Sequence, residues 1–210
     1  MRVLEHLLAG PRPRIPRAHA AGVLSRMAER SGACTPGRGK RVAATAVLLG
    51  REIGMRPARL ALLAETALLL DIGFIGMPLD VVQRSRPLTD DEKEELELHP
   101  MRGLDLARDL GLEYEQLNGI MHHHERQDGL GYPMGLAGQE IPEFARILAI
   151  ADAYDDLTKS KAGCAALPPD DAMRQLHQLA GTHFDPILVS AFSRAVNEHE
   201  PNGRGTPPVG

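Results

Sequence analysis

The chain has 210 residues, enough for one ordinary domain with a substantial core, and its 43% hydrophobic content marks it as globular. Aromatic residues supply only 3% and tryptophan is absent, so the core must be aliphatic, a composition that favours helices. A net charge of -4 with scattered basic residues argues against polymeric nucleic acid as a partner, and leaves room for a small charged ligand in a local pocket.

The first ten residues are apolar in flavour but interrupted by Glu5 and His6, and they are too short for a signal peptide or a membrane span. Pro11, Pro13 and Pro16 with interleaved arginines make residues 1-18 an extended or disordered lead. Helices are expected at roughly 19-31, 38-53, 57-70, 90-109, 113-123, 142-159, 169-180 and 186-198, and no alternating pattern competes with them. The expectation is an all-α fold, a single helical domain over 19-199, followed by a disordered Gly- and Pro-rich tail at 200-210. Two cysteines, Cys34 and Cys164, have no metal-ligand spacing, so reduced thiols and a cytoplasmic location with no membrane contact are the default.

Several boundaries have identifiable chemistry. Thr89 followed by Glu92 is a capping-box pattern. Pro100 inside the 90-109 stretch should kink it and leave His99 at the bend. Pro142 suits a first helical position, Asp185-Pro186 reads as a cap with a first-turn proline, and Gly181 as a terminator.

The most informative run is His123 to Pro133, which gathers two adjacent imidazoles, two carboxylates, two glycines and a Tyr-Pro pair. Adjacent histidines reach one cation only where the backbone turns, and Gly129 and Gly131 supply sharp backbone just afterwards. Leu117, Ile120 and Met121 mark the buried face of the preceding helix. Side chains one position apart on a helix diverge by about 100°, so three consecutive histidines cannot share an ion, and His122 is left as surface or supporting. His6, His19, His177, His183 and His199 are most simply solvated or locally hydrogen-bonded.

The run resembles the signature of the HD-GYP family, bacterial metal-dependent phosphodiesterases of the HD superfamily that act on cyclic di-GMP. The resemblance extends upstream through Asp71-Ile72-Gly73, Ile75-Gly76, Pro78, Leu88-Thr89 and His99-Pro100 with Gly103. Downstream it runs through Gly138, Ile141-Pro142, Ala145-Arg146-Ile147, Ala151-Asp152, Tyr154-Asp155 and Leu157-Thr158. It implies a helical HD-GYP-type fold. It also implies that Asp71 bridges two cations as the catalytic carboxylate, with His99, His123 and His124 completing one shell and Asp152 belonging to the other. Tyr132 and Lys161 are the implied substrate-binding residues.

The pattern is broken in the half of the site that comes first in sequence. The name-giving His-Asp pair is Leu70-Asp71, and an earlier family histidine is Arg38. A family lysine is Phe74, and the later Arg-Pro-Tyr segment is Lys161-Ala162-Gly163. Three imidazoles and a carboxylate suit one transition metal, iron, manganese, zinc or nickel, and the second position is expected to be empty or very weak. Arg38 is expected to stand within hydrogen-bonding reach of Asp71 or Asp152, replacing the lost cation electrostatically, with Leu70 filling apolar volume beside it.

Three functional readings follow. The favoured one is a degenerate HD-GYP domain that signals by binding a cyclic dinucleotide or a protein partner, with phosphodiesterase activity lost or weak. The second is an active cyclic dinucleotide phosphodiesterase of reduced or altered specificity. The third is a structural module that docks a signalling partner through the GYP loop, 128-140.

Overall fold

The computed structural model describes residues 17-32, 34-83, 87-160 and 165-199. Of the lead expected at 1-18, residues 1-16 fall outside the described residues, as do the tail at 200-210 and Lys161, while Arg17 and Ala18 already belong to a helix rather than to an extended lead. Among the described residues ten α-helices follow one another: α1 Arg17–Arg30, α2 Arg38–Glu52, α3 Pro57–Leu68, α4 Leu79–Gln83, α5 Asp90–Glu97, α6 His99–Ala107, α7 Tyr114–His122, α8 Glu143–Thr158, α9 Pro169–Gln178 and α10 Pro186–His199. Among the described residues there is no strand, only two isolated bridges. None of the described helices is long and apolar enough to cross a membrane.

The aliphatic sequence sets where each helix goes. On α8, Phe144, Ala145, Ile147, Leu148, Ile150 and Ala151 are all fully buried, so the first half of this helix is apolar over most of its circumference and forms the centre of the fold. Val42, Ala46 and Leu49 of α2 and Leu63 and Ala67 of α3 recur at helical spacing and pack onto it. Leu176 of α9 and Val189 and Phe192 of α10 close the same core from the other side. Burying side chains of this size contributes about 1.5-3 kcal/mol each. Two smaller clusters matter for the site. Leu69 and Ile72 meet Ala21, Ala107 and Ile120, while Phe74 meets Met77, Val81, Val82 and Leu96.

Three expectations about boundaries are corrected. The stretch 90-109 is two helices, α5 and α6, meeting at Leu98, because Pro100 lies in the first turn of α6 and lacks the N–H that a continuous helix would need. Pro142 is the residue before α8, with extended backbone, rather than its first helical residue. The third correction is Gly181, which lies beyond the terminus because the helix that opens at Pro169 ends at Gln178 with Leu179 as its cap. The Thr89 and Asp185 caps are as read. The Glu92 N–H donates to Thr89 Oγ1 at 3.3 Å and the Thr89 N–H to Glu92 Oε2 at 2.9 Å. Asp185 Oδ1 accepts from the Ile187 N–H at 2.8 Å.

One backbone contact positions everything that follows. Between α3 and α4 the chain makes a 3₁₀ turn, Ile72–Phe74, directly after Asp71. A Cβ on Gly73 would lie 1.8 Å from the His99 carbonyl oxygen and 2.7 Å from the Gly103 N. Only glycine lets this turn lie against α6, and that approach brings Asp71 and Phe74 alongside His99.

Candidate metal centre

His99 opens α6, and His123 and His124 follow the last turn of α7, which ends at His122. The three imidazoles converge, with ligand nitrogens all within 4.8 Å of one another. His99 Nε2 lies 3.2 Å from His123 Nε2 and 3.2 Å from His124 Nε2. The remote nitrogens are tied to the backbone: His99 Nδ1–H donates to the Leu96 carbonyl at 2.8 Å, and His123 Nδ1–H to that of Ile120 at 2.7 Å. A carbonyl oxygen can only accept, so in both rings the proton is on Nδ1 and Nε2 presents its lone pair.

Two lone pairs facing each other at 3.2 Å repel, and a shared cation removes that repulsion. Metal–nitrogen bonds of about 2.0-2.1 Å at a tetrahedral angle place donor nitrogens about 3.3 Å apart. The donor set therefore fits a transition metal. Burial, reinforced by neighbouring His99, pushes His123 down to about 3, which keeps it in the neutral form that binds a cation.

The GYP loop closes over this site through specific contacts. A Cβ on Gly131 would meet the Arg126 N and the His124 carbonyl at 2.5 Å, so the loop returns against the end of α7 only because this residue is glycine. The Tyr132 N–H then donates to the His124 carbonyl at 3.3 Å, and the Tyr132 ring stacks on His124 with centroids 4.8 Å apart. Glu125, almost wholly buried, accepts from the Met134 N–H at 2.7 Å and the Leu136 N–H at 3.0 Å. His122 is buried rather than on the surface, 3.5 Å from Glu125, because the helix turns this position inward against the loop.

Asp71 and Asp152 lie on the other side, and both face Arg38. This arginine begins α2, is buried, and spreads its guanidinium across four carboxylates. Nε donates to Asp71 Oδ2 at 3.1 Å, Nη2 to Asp152 Oδ1 at 2.6 Å, and Nη1 to Asp155 Oδ2 at 3.3 Å and to Asp156. Leu70 is buried in the main core. Burial opposes ionisation of Asp71, but Arg38 outweighs it, helped by His99, His123 and the Cys34 thiol, and holds the carboxyl below its ordinary value. Cys34 Sγ–H donates to Asp71 Oδ2 at 3.3 Å, and burial together with the Asp71 charge raises its pKa well above the usual thiol range.

The sequence-predicted residues thus divide into two neighbouring groups. His99, His123 and His124 form the cluster with metal-ligand geometry among the described residues, and Asp71 stands between it and Arg38 without joining its ligand atoms. Asp152 belongs with Arg38. Asp155, Asp156 and Arg41 also belong to this group, beyond the residues expected from sequence. Arg41 grips both oxygens of Asp155, at 2.6 and 3.0 Å, and Thr35 Oγ1 at 2.7 Å. A signal existed: residues 152, 155 and 156 have the i, i+3, i+4 spacing that puts three carboxylates on one helix face. The role of Glu125 has no such signature, because its partners are backbone N–H groups of a loop.

The HD domain family model matches residues 22–188. A cyclic di-GMP phosphodiesterase response regulator of Xanthomonas campestris is 34% identical over 157 residues, 74% of this chain and 42% of that protein. A 3'3'-cGAMP-specific phosphodiesterase of Vibrio cholerae is 30% identical over 163 residues, covering 78% of this chain and 35% of the relative. A solved cyclic GMP-AMP specific phosphodiesterase of V. cholerae superposes with a TM-score of 0.69 at 22% identity, over 86% of this chain and 48% of that one, a likeness of fold. The chain spans less than half the length of each of these relatives.

Proposed function

The chain belongs to the HD domain family, and on that premise we propose that it is a cyclic-dinucleotide signalling domain of the HD-GYP type, impaired as a phosphodiesterase. In this reading His99, His123 and His124 hold one transition metal and Arg38 fills the place of a second. The observation that carries it is the buried Arg38 guanidinium bound to Asp71 and Asp152. A metal on the three histidines would supply Lewis acidity towards a phosphodiester oxygen.

The protein's own residues do the rest. Arg38 neutralises carboxylates that would otherwise repel one another, and all three of its nitrogens donate to them. Its charge is therefore spent inside the protein and is not offered to a phosphate. Leu70, in the hydrophobic core, has no donor to give. Losing the second cation removes part of the charge stabilisation at the attacking and leaving oxygens. If that part is several kcal/mol, the rate falls on the order of a thousandfold. Tyr132, stacked beside the histidines, offers an aromatic face to a ligand at the site. Leu130 and Met134, both exposed at the loop, support a protein contact as the output of ligand binding.

The second reading, a slow but active phosphodiesterase, is favoured by the intact histidine trio with Tyr132. Turnover of cyclic di-GMP and of 3'3'-cGAMP, measured without oxygen and with added iron, manganese or nickel, separates the two. The proposal expects binding of the dinucleotide with hydrolysis at least about a thousandfold slower than in the Arg38→His, Leu70→His double variant. Equal, rapid turnover by the unaltered chain would establish the second reading.

A further inference from the structure

Phe74 stands where the resembling family carries a lysine, and nothing in the proposed chemistry uses it. Its ring lies nearly parallel to the His99 imidazole, centroids 4.2 Å apart at 13° between planes, the flattest ring pair among the described residues of the site. It is 9% exposed, packed with Met77, Val81, Val82 and Leu96. Leu96 also supplies the carbonyl that accepts from His99 Nδ1. The hydrogen bond at Nδ1 holds one ring atom, and rotation about that N···O line would tilt the imidazole plane. A flat ring against its face stops that motion.

We infer that Phe74 is a positioning residue for a metal ligand: it fixes the plane of His99 so that Nε2 stays aimed at His123 and His124. The inference rests on the one-metal reading of the three histidines. It has a reason in this chain. Asp71, the carboxylate that the resemblance assigns to the metal, is engaged by Arg38 and Cys34, so a cation leans on imidazoles, and the orientation of each one counts for more. His124 has the equivalent support from Tyr132, so aromatic rings back two of the three ligands. Exchanging the family's lysine for phenylalanine thereby trades a cation that could meet phosphate for a ring that stiffens the metal site.

The test loads the full chain with cobalt(II), whose visible d–d absorption reports ligand geometry, and compares the wild type with Phe74→Leu and Phe74→Tyr. Phe74→Leu removes the plane and keeps apolar bulk. Since aromatic stacking contributes modestly, the expected loss of cobalt affinity is about three- to tenfold. The d–d envelope should shift or broaden, and Phe74→Tyr should restore both. Should Phe74→Leu fail to fold, Phe74→Met replaces it, filling the same space without a plane. Metal-free melting curves of the variants serve as the control for structural damage. A wild type that binds cobalt, with Phe74→Leu matching it in affinity and spectrum, overturns the role of Phe74 alone. A wild type that takes up no cobalt overturns the one-metal reading and this inference together.

Discussion

Arg38 Nη2 donates to Asp152 Oδ1 across 2.6 Å although the two residues lie 114 positions apart in the sequence. The pair ties the first turn of α2 to the middle of α8, with Asp71 joined at the Nε of the same side chain. Removing the guanidinium leaves buried carboxylates without their counter-charge. Arg38→Met should therefore lose about 3-5 kcal/mol of stability at neutral pH, measured by urea unfolding. Arg38→Lys should recover only part of it, since an ammonium cannot reach both carboxylates in fork geometry. A fully stable Arg38→Met protein would mean that the carboxylates are solvated and the guanidinium is not acting as a cation for the site.

Gly73 allows the turn carrying Asp71 to touch α6. In Gly73→Ala the added methyl meets the His99 carbonyl at 1.8 Å, which backbone cannot absorb without moving. The expected cost is about 3 kcal/mol or more, accompanied by loss of metal uptake because His99 is displaced. Isothermal titration with zinc, next to a melting curve, checks both. Normal zinc affinity in this variant would dissociate the turn from the site.

Acid should destabilise the metal-free protein at a higher pH than carboxylate titration alone requires. Burial and neighbouring His99 hold His123 neutral down to about 3, against an ordinary value of 6.5. Below 6.5 the unfolded chain accepts a proton that the folded chain refuses, so this contribution is complete above 6.5 and declines as pH falls towards 3. Its size is on the order of a few kcal/mol. Asp71 adds a lower branch, because its carboxyl is held below 3.8 and its contribution is lost as pH falls through the folded value. Urea midpoints should fall between pH 6.5 and 4 in the wild type and stay flatter in His123→Asn. A flat wild-type profile would contradict the buried, neutral imidazole.

Glu125 straps the GYP loop through two backbone N–H groups. In Glu125→Ala those donors lose a charged acceptor, at a cost of about 1.5-3 kcal/mol for each bond. Hydrogen exchange should accelerate at Met134 and Leu136 before it does in α8. Unchanged protection at those two amides would show that the loop is held by other contacts.

Much of this was legible in the chain because the signals were local. Helix α2 starts at Arg38 and α9 at Pro169 as read, and the capping box of Thr89 and Glu92 forms as its spacing implies. The placement of Arg38 against Asp71 and Asp152 followed from charge: once histidines are replaced, two nearby carboxylates need a cation. The features that are not local in sequence depend on three-dimensional context. The five residues of α4 are too few to show a period, and the break at Leu98 depends on where Pro100 falls within a turn. The second donor to Asp71, the Cys34 thiol, is encoded by no spacing, because it depends on how two distant segments meet. Stacking of Phe74 on His99 likewise needs the Gly73 contact to bring two distant segments together.

The number of metal ions per chain tests the central claim most directly. With three imidazoles converging and Arg38 holding the other carboxylates, protein purified without oxygen should contain about one transition metal per chain by elemental analysis. His124→Ala should bring that towards zero, and Arg38→His with Leu70→His should raise it towards two. Two tightly held metals in the unaltered chain, or no metal even after reconstitution, would contradict the account.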